Sequence, residues 1–197
     1  TENIMMAATL AEGRTIIKNA AKEPEIIDLA NMLTSMGAKI EGAGNETIII
    51  EGVTNLTGTE FDIPADRIEA GTYLAAAAVT KGNITIEGIN PTRLMKVIDK
   101  LKTAGAMINY TSNSITLNMT KEFPNPVNIT TAPFPDFPTD MQAQFSVLNA
   151  ISSGDSIVNE TVFENRFMHI LELNRMGCNI QVKGNRAYIK GVESLYG

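Results

Sequence analysis

The sequence predicts an α/β fold built from repeated βαβαββ units, and three observations support this. Glycines recur at two places in the pattern, at intervals of about seventy residues: Gly13, Gly82 and Gly154 in one set, and Gly37, Gly105 and Gly177 in the other. Each interval holds β-branched stretches that predict strands and amphipathic stretches that predict helices. Because strands alternate with helices, the pattern is typical of an α/β protein.

The first half of each repeat predicts a helix followed by a strand. The helix is rich in alanine and methionine, and we expect it to end at the first glycine, because glycine tolerates the positive φ of a helix C-terminus. A short β-branched stretch then predicts a strand in every repeat, at residues 15–17, 84–86 and 156–158.

The second half of each repeat predicts another helix and a hairpin. In the second repeat Leu94, Val97, Ile98 and Leu101 form an apolar stripe with helical spacing, and the second glycine ends this helix. The hairpin strands are expected at residues 38–40 with 47–50, 107–110 with 114–117, and 179–182 with 187–189. The first repeat lacks an opening strand, so we expect the chain to be an internal fragment.

Composition excludes several functional classes. Hydrophobic residues make up 44% and charged residues 19% of the 197, which is typical of a globular protein. The net charge of −6 argues against nucleic-acid binding, and no apolar run approaches the roughly twenty residues of a membrane span. Cys178 is the only cysteine, which excludes an internal disulfide and fits a reducing cytoplasm. No metal-ligand, phosphate-loop or dinucleotide motif is present, so no metal or cofactor is expected.

The third repeat departs most from the shared pattern and is the best place to look for chemistry. The stiff, proline-rich segment 132–138 leads into Thr139, and Thr139 with Gln142 forms a capping-box pattern. Asp140 therefore falls in the first helical turn, where the second repeat has Ile68. Two interpretations remain open for Asp140: compensation of the helix dipole, or a general base that contacts a substrate hydroxyl.

A charged residue also replaces an apolar one at Arg166. The corresponding residues of the other repeats are Ile26 and Leu94, and the segment 161–167 is expected to open the second helix of the third repeat. A charge at such a position needs a partner, and Glu164 or a ligand could supply it. A structural ion pair and a binding site are both compatible with this pattern.

Three further residues favour structural roles. Asp66 begins an Asp-x-x-Glu pattern typical of a helix N-cap, although it could also lie in a cleft. His169, the only histidine, occupies an apolar stripe position, which favours a packed imidazole over a catalytic one. Cys178 stands where the other repeats have alanine, which favours a small packed residue over a nucleophile.

Several segments together resemble the UDP-N-acetylglucosamine 1-carboxyvinyltransferase family, the enolpyruvyl transferases of peptidoglycan synthesis. They are AATLAEG, EPEIIDLANML, DRIEAGTYL, TAPFPDFPTDMQAQF and ETVFENRFMH, and the resemblance runs the whole length of the chain in order and spacing. It implies two domains, each an inside-out α/β barrel of three repeats with the active site in the cleft between them. Residues 1–60 would be the last repeat of one barrel domain, and residues 61–197 would be two repeats of the second, at 61–124 and 125–197.

The resemblance also implies an activity and its residues. The family moves the enolpyruvyl group of phosphoenolpyruvate onto the 3′-hydroxyl of UDP-N-acetylglucosamine in the cytoplasm. Asp140 matches the aspartate that contacts and deprotonates this hydroxyl, Val162 matches a substrate-binding residue, and Arg166, Asp66 and Glu164 match polar positions of the cleft.

Some family features have no counterpart in the chain: the mobile loop with its catalytic cysteine, an amino-terminal Lys-Asn pair and a carboxy-terminal arginine. We therefore expect these 197 residues alone to be inactive. Two alternatives remain. One is the shikimate-pathway enolpyruvyl transferase, which shares the barrel, and the other is a non-catalytic binding module that reuses the same repeats.

Overall fold

The computed structural model describes all residues, Thr1–Gly197. The chain divides into two compact units. The first comprises Thr1–Pro64 with Pro133–Pro135, and the second comprises Ala65–Ala132 with Asp136–Gly197.

The first compact unit holds one repeat. Its elements are α1 (Glu2–Ala8), β1 (Arg14–Lys18), α2 (Pro24–Ser35), β2 (Lys39–Glu41) and β3 (Thr47–Glu51). The strands form one antiparallel sheet in the order β1–β3–β2. Buried Met5, Ile26 and Ile50 belong to the core between helices and sheet. The burial of these apolar side chains stabilises the unit.

The second compact unit holds the other two repeats. The second repeat consists of α3 (Arg67–Val79), β4 (Asn83–Glu87), a 3-10 helix (Pro91–Leu94) that continues as α4 (Met95–Ala104), β5 (Met107–Tyr110) and β6 (Ser114–Asn118). The third repeat consists of β7 (Ile129–Thr130), a 3-10 helix (Thr139–Met141) that continues as α5 (Gln142–Ala150), β8 (Asp155–Asn159), α6 (His169–Arg175), β9 (Asn179–Lys183) and β10 (Arg186–Lys190).

Both sheets of the second compact unit repeat the strand order of the first. The second repeat gives β4–β6–β5, and the third gives β7–β8–β10–β9, with β7 added at the edge. All pairs are antiparallel except β7 with β8, where Ile129 faces Val158 in a parallel register. The predicted repeat is therefore confirmed by its sheet topology.

Helices α3 and α5 form the interior of the second compact unit, and the sheets lie outside them. In β10 buried and exposed residues alternate, so one face of the sheet packs on the core and the other meets solvent. Helix α3 buries Leu74, Ala75 and Ala78 and packs closely against the third repeat. At Gly71 an added Cβ would lie 3.0 Å from Met141 Sδ, which explains a glycine at this close approach. The expected inside-out arrangement is confirmed.

The strands and the second glycine set agree with the sequence predictions. All predicted hairpin strands are present to within one residue at each end. Gly37, Gly105 and Gly177 adopt φ values of 104°, 107° and 97° and follow helices α2, α4 and α6. Positive φ is unfavourable for side chains with a Cβ, which accounts for glycine at these three positions.

The prediction that the first glycines end the preceding helices is wrong. These helices end at Ala8, Val79 and Ala150, several residues before the glycines. In the second repeat Lys81, and not Gly82, takes the positive φ, at 57°. The chain makes an additional turn between helix and strand, so the glycine belongs to the turn.

The opening strand predicted for the second repeat is also absent, since the structure has no strand between β3 and α3. In the third repeat the chain just before β7 is held by the buried Asn149 side chain, which accepts a hydrogen bond from Val127 N and donates one to Val127 O, both at 2.9 Å. The second repeat has Ala77 at the corresponding place, which offers no such hydrogen bonds. The segment before α3 therefore lacks the side-chain hydrogen bonds that hold its counterpart in the third repeat. It also contains Pro64, which has no backbone N–H to donate to a neighbouring strand, and it forms no strand pairing.

None of the helices combines the length and the apolar character that crossing a membrane requires.

Candidate functional site

A buried carboxylate, Glu160, lies at the centre of the polar residues of the third repeat. It directly follows β8, and only 2% of its surface is exposed. The carboxylate accepts five hydrogen bonds: from Thr131 Oγ1 at 2.8 Å, Val162 N at 2.9 Å and Phe163 N at 3.1 Å to Oε1, and from Thr139 Oγ1 at 2.8 Å and Gln142 Nε2 at 3.3 Å to Oε2. A buried carboxylate with this many donors is stabilised in its ionised form.

Two opposing effects set the pKa of Glu160. Burial, the larger single effect, raises it, because the charged form loses its hydration. The hydrogen bonds from Thr139, the Val162 amide, Thr131 and the Phe163 amide all lower it, and together they outweigh the burial. The pKa of Glu160 is therefore below its ordinary value, and the side chain is a carboxylate at neutral pH.

The capping box predicted for Thr139 and Gln142 is wrong. The 3-10 helix begins at Thr139 with Pro138 as its N-cap, and no side-chain cap hydrogen bond is formed. The Thr139 hydroxyl and the Gln142 amide instead both donate to Glu160 Oε2. A buried anion is a strong acceptor, so the hydroxyl proton of Thr139 and the amide N–H of Gln142 both bind Glu160, and neither side chain accepts from the N–H groups at the helix start.

The structure brings Asp140 and Arg166 together. Arg166 Nη2 donates to Asp140 Oδ1 at 2.7 Å, and Arg166 Nη1 donates to Thr139 Oγ1 at 3.1 Å. The guanidinium carbon also lies 5.0 Å from the centroid of the Phe163 ring, within cation–π distance. The expectation of a partner for Arg166 is correct, but the partner is Asp140 and not Glu164.

The segment before α6 is a loop, so the prediction that residues 161–167 open the helix is wrong. Helix α6 begins at His169, and Asn165 has a positive φ of 57°. The Glu160 carboxylate explains the loop, because it binds the amides of Val162 and Phe163 at its start. The loop lines a cavity of about 540 Å³, together with Gly184 and Asn185.

Three predicted site residues, Val162, Glu164 and Arg166, lie in this loop and line the cavity. Val162 is 36% exposed, and Glu164 is also exposed, so both side chains are accessible to a ligand. Asp140 is accessible too, with 52% of its side chain exposed. The loop and the first turn before α5 thus present a carboxylate and a guanidinium at an open surface.

Asp66 has the predicted capping contacts. Its Oδ1 accepts from Ile68 N at 2.7 Å and from Glu69 N at 3.1 Å at the start of α3. These contacts confirm the N-cap interpretation.

His169 and Cys178 have the expected structural character. His169 is partly buried, and its pKa is lowered first by burial and second by the charge of Arg166. Burial of Cys178 raises the pKa of its thiol, which disfavours the reactive thiolate. Both observations agree with packed side chains.

Sequence reasoning missed Glu160, although one signal was available. The corresponding residues of the other repeats are Asn19 and Gly88, which have φ values of 54° and 79°. A glutamate at a position where the other repeats use left-handed turn residues indicates a different local structure. The polar network around Glu160 is that difference.

Arrangement and charge together indicate what the site can do. An accessible carboxylate can accept a proton or a hydrogen bond from a hydroxyl, and an adjacent guanidinium can bind a carboxylate or phosphate. No group of three or more histidine, cysteine, aspartate or glutamate side chains is placed to hold a metal ion.

The whole chain, residues 1–197, matches the family described as EPSP synthase (3-phosphoshikimate 1-carboxyvinyltransferase). It is 56% identical over 197 residues to UDP-N-acetylglucosamine 1-carboxyvinyltransferase of Hydrogenovibrio crunogenus, covering 100% of this chain and 47% of that protein. The chain thus spans about half the length of the curated relative that it matches.

Solved structures share the fold. The enolpyruvyl transferase NikO from Streptomyces tendae superposes with a TM-score of 0.80 at 24% identity, over 93% of this chain and 44% of that one. An EPSP synthase from Acinetobacter baumannii gives a TM-score of 0.53 at 16% identity, over 100% of this chain and 45% of that one. Because the family match spans every residue and these structures share the fold, the chain belongs to the EPSP synthase family of carboxyvinyltransferases.

Proposed function

We propose that this chain, within a protein of its relative's full length, transfers the enolpyruvyl group of phosphoenolpyruvate to the 3′-hydroxyl of UDP-N-acetylglucosamine. The observation that carries the proposal is the Asp140–Arg166 pair, which presents a base and an anion-binding group side by side at an accessible surface. The 56% identity to a UDP-N-acetylglucosamine 1-carboxyvinyltransferase supports this choice of acceptor. The full-length protein is the one that contains this chain and has the length of that relative.

Asp140 acts as the general base. Its carboxylate takes the proton of the sugar hydroxyl as the hydroxyl oxygen bonds to C2 of phosphoenolpyruvate, while a separate general acid of the full-length protein gives a proton to C3. The resulting tetrahedral intermediate then loses the C3 proton and inorganic phosphate, which leaves the enolpyruvyl ether. A positioned base typically contributes about 10²–10⁴-fold to the rate.

Arg166 faces the anionic donor. Its Nη1 and Nη2 are occupied by Thr139 and Asp140, and this fixes the plane of the guanidinium. The side chain remains 36% exposed, so other edges of the guanidinium can reach a phosphate or carboxylate oxygen. The hydrogen bond from Nη2 to Asp140 also keeps the guanidinium beside the proposed base.

Val162 and Glu164 contribute the wall that binds the sugar nucleotide. Both line the cavity of about 540 Å³, which falls within the usual size range of small-molecule sites. Asp66 contributes a second carboxylate, beyond its role as the N-cap of α3. We expect no cofactor, because proton transfers and one elimination complete the reaction.

The domain assignment that follows is also a proposal. Residues 1–60 form the last repeat of one barrel domain, and residues 61–124 and 125–197 form two repeats of the other. The full-length protein would act in the cytoplasm at the first committed step of peptidoglycan synthesis, and so contribute to cell shape and division. The isolated 197 residues should release no phosphate from the two substrates, and measurable release would contradict this expectation.

The choice of acceptor is tested by measuring phosphate release by the full-length protein from phosphoenolpyruvate with each candidate acceptor. UDP-N-acetylglucosamine should support turnover and shikimate 3-phosphate should not. The reverse result would favour the shikimate-pathway transferase, whose name the matched family carries. No turnover with either acceptor, together with saturable binding, would favour a non-catalytic module.

A further inference from the structure

Thr139 links the buried Glu160 carboxylate to the exposed Asp140–Arg166 pair. Its hydroxyl lies 2.8 Å from Glu160 Oε2 and 3.1 Å from Arg166 Nη1. The same guanidinium reaches Asp140 Oδ1 at 2.7 Å through Nη2. One continuous chain of hydrogen bonds therefore runs from a residue with 2% exposure to the proposed base.

The direction of these hydrogen bonds is fixed by chemistry. An ionised carboxylate can only accept, so the single hydroxyl proton of Thr139 must point to Glu160. The hydroxyl lone pairs are then free, and a guanidinium, which can only donate, takes one of them. Reversing the hydroxyl would leave a buried anion short of a donor and turn a proton toward a cation, both of which are unfavourable.

We propose that Glu160 and Thr139 are positioning residues, which hold Arg166 at the correct place and angle beside Asp140 without touching substrate themselves. The reaction that they serve is the proposed function above, and the inference deepens it. Glu160 is the fixed anchor, because its other donors come from Thr131, Gln142 and two backbone amides. Thr139 is held by its hydrogen bond to Glu160, and its hydroxyl oxygen in turn binds the guanidinium at Nη1.

Glu160 has two branches that can be separated by mutation. One branch runs through Thr139 to Arg166, and the other runs through the amides of Val162 and Phe163 to the cavity loop. Thr139→Val removes the hydroxyl at almost constant volume and cuts only the first branch. Glu160→Gln weakens both, because it removes the negative charge that strengthens every one of these hydrogen bonds and places an NH2 donor where one of the two carboxylate oxygens accepted.

The first test compares Thr139→Val with Thr139→Ser in the full-length protein. The valine variant should raise the KM for phosphoenolpyruvate about tenfold and lower kcat, while the KM for UDP-N-acetylglucosamine stays within about twofold. The serine variant keeps the hydroxyl and should restore both constants to within about threefold. Thr103→Val, at an exposed hydroxyl on α4 that binds Asp99 O, is the matched control and should change neither constant.

The second test uses Glu160→Gln with Glu172→Gln as its control. Glu160→Gln should raise the KM for both substrates, because the loop and the guanidinium lose their common anchor. Glu172, exposed and paired with Arg175, should tolerate the same change. Equal losses in the serine and valine variants of Thr139, or a Glu160→Gln variant with unaltered constants and melting temperature, would overturn the proposal.

A crystal structure of full-length Thr139→Val gives a result that is independent of turnover. Arg166 should leave its position, so that the 2.7 Å contact with Asp140 Oδ1 lengthens beyond hydrogen-bond distance or becomes heterogeneous. Retention of that contact in one ordered conformer would refute the positioning role even if the enzyme is active. A displaced Arg166 in the variant would support the positioning role even if the unsubstituted full-length protein had no transferase activity, a result that would reject the proposed function alone.

Discussion

Arg166 and Asp140 are joined by a 2.7 Å hydrogen bond between Nη2 and Oδ1, although they are 26 residues apart and lie before different helices. The two side chains are 36% and 52% exposed. Ion pairs at such positions typically stabilise a protein by only about 0–1 kcal/mol, because water screens them. The pair therefore matters more for the site than for the fold.

Replacing Arg166 by lysine should separate these two contributions. Arg166→Lys keeps the positive charge but loses the fork that binds Thr139 and Asp140 together. We expect a change of less than about 1 kcal/mol in the free energy of unfolding, and a rise of about tenfold or more in the KM for phosphoenolpyruvate. Denaturant unfolding and steady-state kinetics of the full-length protein measure both, with Arg175→Lys as the control. An unchanged KM would contradict the role of Arg166.

Acid should destabilise the fold in part through Glu160. Its folded-state pKa is lowered, so its contribution to stability is present above the unfolded-state value of about 4.3 and is lost as the pH falls through the folded-state value. Unfolding measured from pH 7 down to pH 3 should therefore show a smaller loss of stability for Glu160→Gln than for the unsubstituted protein. Glu172→Gln should follow the unsubstituted curve. Parallel curves for all three proteins would refute the ionised buried carboxylate.

His169 offers a direct spectroscopic check, because it is the only histidine of this chain. Burial first, and the charge of Arg166 second, lower its pKa below the ordinary value of about 6.5. The folded state thus prefers neutral imidazole, and this contribution to stability is lost as the pH falls below about 6.5. A proton NMR titration of the ring should give a lowered pKa, and Arg166→Met should move it partly back. A pKa at or above 6.5 would contradict the structure.

Among the glycines next to the sheet of the third repeat, Gly191 should tolerate replacement by alanine least. An added Cβ there would lie 1.9 Å from Ser152 O, a backbone atom that cannot move aside easily. We expect Gly191→Ala to destabilise the protein by about 2 kcal/mol or more, at the upper end of single substitutions. Gly58→Ala is the control, since a Cβ at Gly58 meets nothing within 4 Å. Thermal unfolding of the two variants measures the difference. Equal melting temperatures would contradict the prediction and show that the backbone at Ser152 moves aside at little cost.

Sequence periodicity predicted the strands well because the repeats carry the same local signals three times. The positive φ of Gly37, Gly105 and Gly177 after their helices and the buried stripe of α4 are determined by nearby residues and by helical spacing. Helix ends were less predictable. Lys81 takes a positive φ one residue before Gly82, although local preference favours glycine for that conformation, so the turn after this helix could not be read from the sequence.

The candidate site was predictable only in its parts. Asp140 and Arg166 stood out because each replaces an apolar residue of another repeat, but their pairing depends on how two segments meet in space. Thr139 resembled a helix cap in sequence, and only the nearby buried Glu160 changes its partner. Contacts between residues 20 to 30 positions apart are set by tertiary packing, which local patterns do not encode.

Phosphate release by full-length Asp140→Asn, with phosphoenolpyruvate and UDP-N-acetylglucosamine at saturation, tests the central claim most directly. The amide keeps the shape of the side chain but cannot take the hydroxyl proton, so kcat should fall by about 10²–10⁴-fold while the melting temperature stays unchanged. Asp155→Asn, at an exposed aspartate of β8, should retain full activity. An Asp140→Asn variant that keeps kcat within about threefold of the unsubstituted protein would contradict the assignment of Asp140 as the base.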